Sequence, residues 1–164
     1  MKKIFLSVML IVLGLAAQAE EQLVSLLTQN KAICRDEMFT FQVTYSDIST
    51  DGYNFRFTTT MLHKEELGQY KVSIICSLPW KLVKEAKREV LTNNGIGKNT
   101  FVRLYLSREM NSSAILITTE ITDSEGKVKT ETRGPNSPNI EIYFPDQKAA
   151  QTWNEELTKY LNKR

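Results

Sequence analysis

From Phe39 to Tyr45 large and polar residues alternate: Phe39-Thr40-Phe41-Gln42-Val43-Thr44-Tyr45. Tyr53, Phe55, Phe57, Thr59 and Met61 repeat that period, and Tyr70, Val72, Ile74 and Cys76 repeat it again. A period of two sends successive side chains to opposite faces, so each segment predicts a strand with one buried and one wet face. Asp51-Gly52 and Gly68 fall between these segments and suit tight antiparallel turns. The alternation returns in Phe101–Leu106, Ala114–Ile121, Lys127–Arg133 and Ile140–Phe144. In the third of these the charged residues suggest a protected edge strand. Asn111-Ser112-Ser113, Asp123-Ser124-Glu125-Gly126 and Gly134-Pro135-Asn136-Ser137-Pro138 read as the connections.

Helical spacing occurs three times. Leu23, Leu26, Leu27 and Asn30 predict a short helix from Glu20 to about Lys31, with the two glutamates at the end where the helix dipole favours anions. Pro79 suits the first turn of a central helix in which Trp80, Val83, Ala86, Val90 and Leu91 form the apolar stripe. Asn93-Asn94-Gly95 would terminate it. Asp146 predicts the cap of a final helix, with Ala149, Trp153, Leu157 and Leu161 at intervals of four and Lys159, Lys163 and Arg164 towards its carboxyl end. The expected class is therefore α+β: a mostly antiparallel sheet of about seven strands with an N-terminal, a central and a C-terminal helix. This element order looks like the type III secretion chaperone-like fold. The closing Ile142-Tyr143-Phe144-Pro145-Asp146, followed by Ala149, Trp153 and Leu157, is similar to the end of a pleckstrin-homology domain. Both likenesses are of element order and transfer no functional residue.

The apolar pattern of the first residues is of another kind. Lys2 and Lys3 precede an uncharged run, Ile4–Ala17, and Ala17-Gln18-Ala19 then offers small residues at the two positions a signal peptidase inspects. That predicts a secretory signal peptide, residues 1–19, cut between Ala19 and Glu20. The run falls short of the roughly 18 residues a membrane span needs. No cysteine sits just after the cut to accept a lipid anchor. The bacterial style of the leader makes the expected destination periplasmic or secreted. Residues 20–164 then form one domain, of a size that buries enough surface for an independent core.

Losing Lys2 and Lys3 brings 21 basic and 19 acidic residues down to 19 of each. A neutral domain argues against nucleic acid as the main partner, because neutralising phosphates needs a surplus of Lys and Arg. Two cysteines remain, Cys34 and Cys76, and an oxidising compartment predicts a disulfide between them. Closing a loop of about 43 residues in this way would contribute roughly 4 kcal/mol in the chain-entropy model.

Catalytic signatures are missing from the pattern. His63 is the sole histidine, and no HxxxH, HExxH or clustered Cys/His spacing surrounds it, so it reads as an ordinary residue at a strand end. No Gly-x-Ser-x-Gly occurs. Gly95-Ile96-Gly97-Lys98 has the wrong spacing for a phosphate loop, and Asp123-Ser124-Glu125-Gly126 has too few oxygens for a calcium loop. Asp47, Asp51, Glu109, Glu120, Asp123, Glu131 and Glu141 are scattered without a spacing that singles out a catalytic pair. Lys81, Lys84, Lys87 and Arg88 fall on the polar face of the expected central helix, diluted by Glu85 and Glu89. Phe39, Phe41, Tyr45, Phe55 and Phe57 read as packed core rather than the lining of a cavity. The expectation is thus no cofactor, no metal and no catalytic residue. What remains is an exported binding or interaction protein, taking a protein partner or a small apolar ligand. The alternative class is a hydrolase using two carboxylates that meet only in space.

Overall fold

A computed structural model describes residues 18–35, 40–65, 68–93, 97–106, 116–122, 125–133 and 139–162. The chain is mainly β. Helix α1 (residues 18–28) is followed by β1 (Lys31–Arg35), β2 (Thr40–Thr50), β3 (Asn54–Glu65) and β4 (Gly68–Pro79). A short 3-10 turn, Trp80–Leu82, leads to β5 (Val83–Asn93), β6 (Gly97–Leu106), β7 (Leu116–Thr122), β8 (Val128–Arg133) and β9 (Asn139–Phe144), and α2 (Gln147–Asn162) closes the order. A six-stranded sheet runs β1-β2-β3-β4-β7-β8 and a three-stranded sheet runs β5-β6-β9.

The expected α+β class with about seven strands and a central helix is therefore corrected: the described residues form nine strands, and Val83–Asn93 is one of them. The segment Val83-Lys84-Glu85-Ala86-Lys87-Arg88-Glu89 is rich in good helix formers, in agreement with its helical apolar spacing. Its tertiary partner overrides that preference. β5 pairs with β6 along its whole length, from Val83↔Leu106 to Asn93↔Gly97, with a bulge between Val83 and Glu85. Asn-Gly next to paired strands is a hairpin signal before it is a helix stop. The joining residues 94–96, which include part of the Gly-rich tetrapeptide, lie outside the described residues. With the central helix gone, the likeness to the type III secretion chaperone-like order goes too. Pro79 caps the 3-10 corner instead of opening a helix. The other added strand, β1, takes up Lys31, the expected last residue of the first helix.

Both sheets and both helices bury their apolar faces in one cluster. The larger sheet contributes Phe41, Val43, Tyr45, Phe55 and Phe57, and the smaller sheet Val102, Leu104, Leu106, Ile142 and Phe144. α1 adds Leu23 and Leu27, and α2 adds Ala150, Trp153, Leu157 and Tyr160. Trp153 is the hub: it is fully buried, packs on Phe55 and Phe144, and donates its indole N–H to the Leu23 carbonyl at 3.3 Å. Tyr160 donates to the Glu20 carboxylate at 2.6 Å, so the two helices interlock at a second point. Trp80 marks the corner between the sheets. It stacks on Phe55 at 4.8 Å and donates to Thr50 Oγ1 at 3.1 Å. Asp51 and Gly52 make the turn before β3, with Gly52 at φ 79°. In β2 a register shift between Ser46 and Ser49 accommodates Asp47 at φ 51°, a left-handed conformation that Asp tolerates better than most residues.

The disulfide is also corrected. Cys34 and Cys76 are buried and share no disulfide. Cys34 lies on β1 and Cys76 on β4, with β2 and β3 between them. Three steps at about 4.8 Å put those strands roughly 14 Å apart, well beyond the ~7 Å between Cα atoms that a disulfide spans.

Of the expected signal peptide, residues 1–17 lie outside the described residues, and its last two, Gln18 and Ala19, open α1. Among the described residues no helix is long and apolar enough to cross a membrane.

Candidate functional site

One corner of the molecule brings together four chain ends: the close of α1, the start of β1, the close of β9 and the start of α2. Asn30 makes the first turn. Its N–H bonds the Leu27 carbonyl at 3.0 Å, and its side-chain amide donates to the Tyr143 carbonyl at 2.6 Å, tying the α1–β1 junction to β9. Asp146 makes the second, accepting the Ala149 N–H at 2.8 Å as the cap of α2. A depression of about 290 Å³ opens between them, lined by Leu26, Asn30, Phe144, Pro145, Lys148 and Ala149 among others. A second, of about 280 Å³, adjoins it through Phe144 and Pro145 and is lined by Lys31, Ile33, Arg35 and Lys98. The result is a cleft with an apolar half and a cationic half.

β1 forms one wall, and its orientation follows from Asn99. The Arg35 N–H donates to Asn99 Oδ1 at 2.8 Å, and Asn99 Nδ2 donates to the Arg35 carbonyl at 2.6 Å. Arg35 therefore turns both backbone groups away from β2. In an antiparallel pair this alternates, so Lys31 and Ile33 turn theirs the same way, toward the cleft, while Ala32 and Cys34 bond to β2. The side chains alternate as well. Lys31, Ile33 and Arg35 are exposed, with Ile33 at 51%, and Ala32 and Cys34 are buried. Asn30 Oδ1, beside the start of this edge, is buried with no hydrogen-bond partner.

Tyr45 braces the same corner from inside the core. Its hydroxyl accepts the Tyr143 N–H at 2.7 Å. Burial holds the Tyr45 phenol well above its ordinary value, against the lowering effect of that backbone bond. Tyr143 is raised as well, first by burial and then by Cys34 and Glu141, and it donates to Glu141 at 2.9 Å.

The second constellation lies on the opposite face of the smaller sheet. Arg103 sits between Glu89 and Glu141, binding the first through Nη1 and the second through Nη2 at 2.7 Å and Nε at 3.2 Å. Tyr105 donates to Glu89 at 3.0 Å. The Arg103 guanidinium lies 5.1 Å from the Phe101 ring centre, and Tyr105 and then Glu141 hold it above its ordinary range. Two carboxylates thus share one arginine, and each is committed to it.

The remaining candidates fall out separately. His63 belongs to β3, with Nδ1 2.7 Å from the Thr40 carbonyl and its ring 5.7 Å from that of Phe41. Asp51 is bound into its own turn by the N–H groups of Tyr53 and Asn54. Glu120 and Glu131 lie on β7 and β8, in adjacent registers. Glu109, Asp123 and Phe39 are outside the described residues. Phe41, Tyr45, Phe55 and Phe57 are core. Lys81 sits in the 3-10 corner, and Lys84, Lys87 and Arg88 sit on β5 rather than on a helix. Among the described residues no three His, Cys, Asp or Glu converge as a metal set. The sequence reads Asn30 and Lys31 as helix and Lys98 as part of a Gly-rich tetrapeptide, and gives none of them, nor Asn99, a place in a site. A lone basic or amide residue beside a strand carries no signal until its distant partner is known.

No protein-family model, no curated protein and no solved structure matches this chain.

Proposed function

We propose that this is an exported, non-enzymatic binding protein of the bacterial envelope, and that the corner cleft holds a segment of a protein partner. The leader pattern of residues 1–19 supports export. The observation that carries the binding site is the cleft itself, which sets Lys31, Arg35 and Lys98 beside Leu26, Phe144, Pro145 and Ala149. Cations next to an apolar floor suit a ligand with acidic groups and an apolar body. Size decides between the two expected ligand types. Each depression is at or just below the low end of the about 300–1,000 Å³ that encloses small molecules. The aromatic residues able to line an apolar cavity pack on one another instead, as Phe55 does on Trp80, Phe57 and Trp153. A chain segment lying in an open cleft fits better than an enclosed apolar molecule. The neutral mature charge speaks against nucleic acid. The carboxylate-hydrolase alternative gains nothing from Glu89 and Glu141, because a reacting pair must face a substrate and these face Arg103.

The test is native mass spectrometry of the mature protein purified from its own envelope fraction, beside a Lys31→Glu/Lys98→Glu double variant with an unchanged urea midpoint. The expected result is a near-stoichiometric adduct on the wild type that the variant lacks. A bare wild-type protein, or an adduct carried equally by both, removes the cleft as the binding site.

A further inference from the structure

We infer that the cleft takes its partner as an added β-strand, an extended acidic segment pairing with the outer edge of β1. This rests on the binding reading above and specifies the occupant.

β1 is an edge strand, bonded to β2 on one side. Its other side presents peptide groups at Lys31, Ile33 and Arg35, in the spacing of an antiparallel or parallel neighbour. Among the described residues only the third position is taken, and the way it is taken is informative. Asn99 offers one acceptor and one donor to Arg35 at 2.8 and 2.6 Å, as a neighbouring strand's peptide group would. The Asn99 carboxamide thus ends the available edge and leaves Lys31 and Ile33 facing the cationic depression, where the described residues supply them no outward backbone partner.

Such an edge invites another chain unless it is blunted. β1 carries a half-exposed isoleucine at its centre, at 51%. Lys31 and Arg35 flank it on the same face, and Lys98 stands across the depression. Residues on one face of paired strands meet directly across the pair. The complementary sequence is therefore acidic, any, apolar, any, acidic: the carboxylates meet Lys31 and Arg35, and the apolar residue covers Ile33. Strand addition uses main-chain bonds for affinity and alternate side chains for selectivity, which this wall supplies in both respects. A second observation points to an incoming peptide. Asn30, at the head of β1, is 6% exposed and keeps Oδ1 buried without a partner, an acceptor suited to a peptide N–H.

The test titrates the isotope-labelled mature protein with the blocked peptide Thr-Glu-Thr-Val-Thr-Glu-Thr and with its twin carrying lysines for the glutamates. The expected result is binding of the acidic peptide, with slowed hydrogen exchange at the Lys31 and Ile33 amides. The basic twin is expected to bind at least about tenfold more weakly. Ile33→Pro deletes one of the two free outward N–H groups at a position where an edge strand tolerates proline, and should weaken binding about tenfold for one missing hydrogen bond. Ile33→Val, which keeps the N–H, should bind as the wild type does. The exchange readout on the wild type stands even if the proline variant fails to fold.

Two outcomes overturn strand addition while leaving the cleft in place. One is peptide binding that perturbs Gln29, Lys148 and Thr152 but not Lys31 and Ile33. The other is no peptide binding by a protein whose native adduct is lost on Lys31→Glu/Lys98→Glu. Neither peptide binding nor a native adduct overturns both readings.

Discussion

Asn99 on β6 grips Arg35 on β1 by both halves of its backbone, accepting the N–H at 2.8 Å and donating to the carbonyl at 2.6 Å. Asn99 is 3% exposed while Arg35 is exposed, so both bonds form at the margin of the core. They join the edge of the larger sheet to the smaller one, across 64 residues of sequence. Losing both bonds, at about 0.5–1.5 kcal/mol each, costs about 1–3 kcal/mol. Asn99→Ala should lower stability by that amount in urea unfolding. Asn99→Asp keeps an acceptor for the N–H but sets a carboxylate against the Arg35 carbonyl, so it should not rescue. A neutral effect of either variant would show that the Asn99 bonds contribute nothing to holding the sheets together.

Arg103 separates two acids that would otherwise face each other. Its side chain is 21% exposed, and those of Glu89 and Glu141 are 26% and 28% exposed, so the fully buried figure does not apply. Arg103→Met should cost about 1–3 kcal/mol at neutral pH. Without Arg103 the two carboxylates repel each other, so the loss should shrink in high salt, where that repulsion is screened. A loss that salt leaves unchanged contradicts the like-charge account.

Asp51 gives the acid response of the wild-type protein. The N–H groups of Asn54 and Tyr53, and then the Asn54 side chain, lower its carboxyl to about 2. A depressed folded pKa contributes stability above the unfolded value, near 4, and that contribution is lost as pH falls toward 2. Carboxyl NMR should find Asp51 titrating last among the aspartates, and Asp51→Asn should flatten the acid limb of the stability curve. An Asp51 titration midpoint near 4 would remove this role for the turn.

Burial pushes the Cys76 thiol up to about 12. Cys76 should thus resist alkylation in the native protein at pH 8, because the thiolate is the reactive form, and Cys34, also buried, is shielded from the reagent. In denaturant without reductant, two alkyl groups should be found by mass. Finding none would restore the disulfide and require β1 and β4 to be neighbours.

How much of this was legible follows from the range of each interaction. All seven strands read from alternation are present, because period two is a local property. β5 was lost because its residues favour a helix in isolation and only pairing with β6 makes a strand of them. β1 was lost for a related reason: Asn30 falls at helical spacing after Leu26 and Leu27, yet its side chain bonds Tyr143, 113 residues away. In α2 the buried set is Ala150, Trp153, Leu157 and Tyr160, with Ala149 and Leu161 at the margin, so the interval of four marked the right face but not its centre. The cleft could not be read at all. Lys31, Ile33, Lys98 and Phe144 are isolated in sequence and meet only because Asn30, Asn99 and Asp146 fix three chain ends at one corner.

Lysine reactivity, measured on the mature protein as isolated from its own envelope fraction and again after unfolding, washing and refolding, tests the central claim most directly. If the corner cleft is the occupied site, Lys31, Lys98 and Lys148 should be protected several-fold in the isolated protein and become reactive once it is stripped, while Lys71, Lys81 and Lys129 react alike in both. Equal reactivity of all six before and after stripping, or protection confined to the second set, would contradict the account.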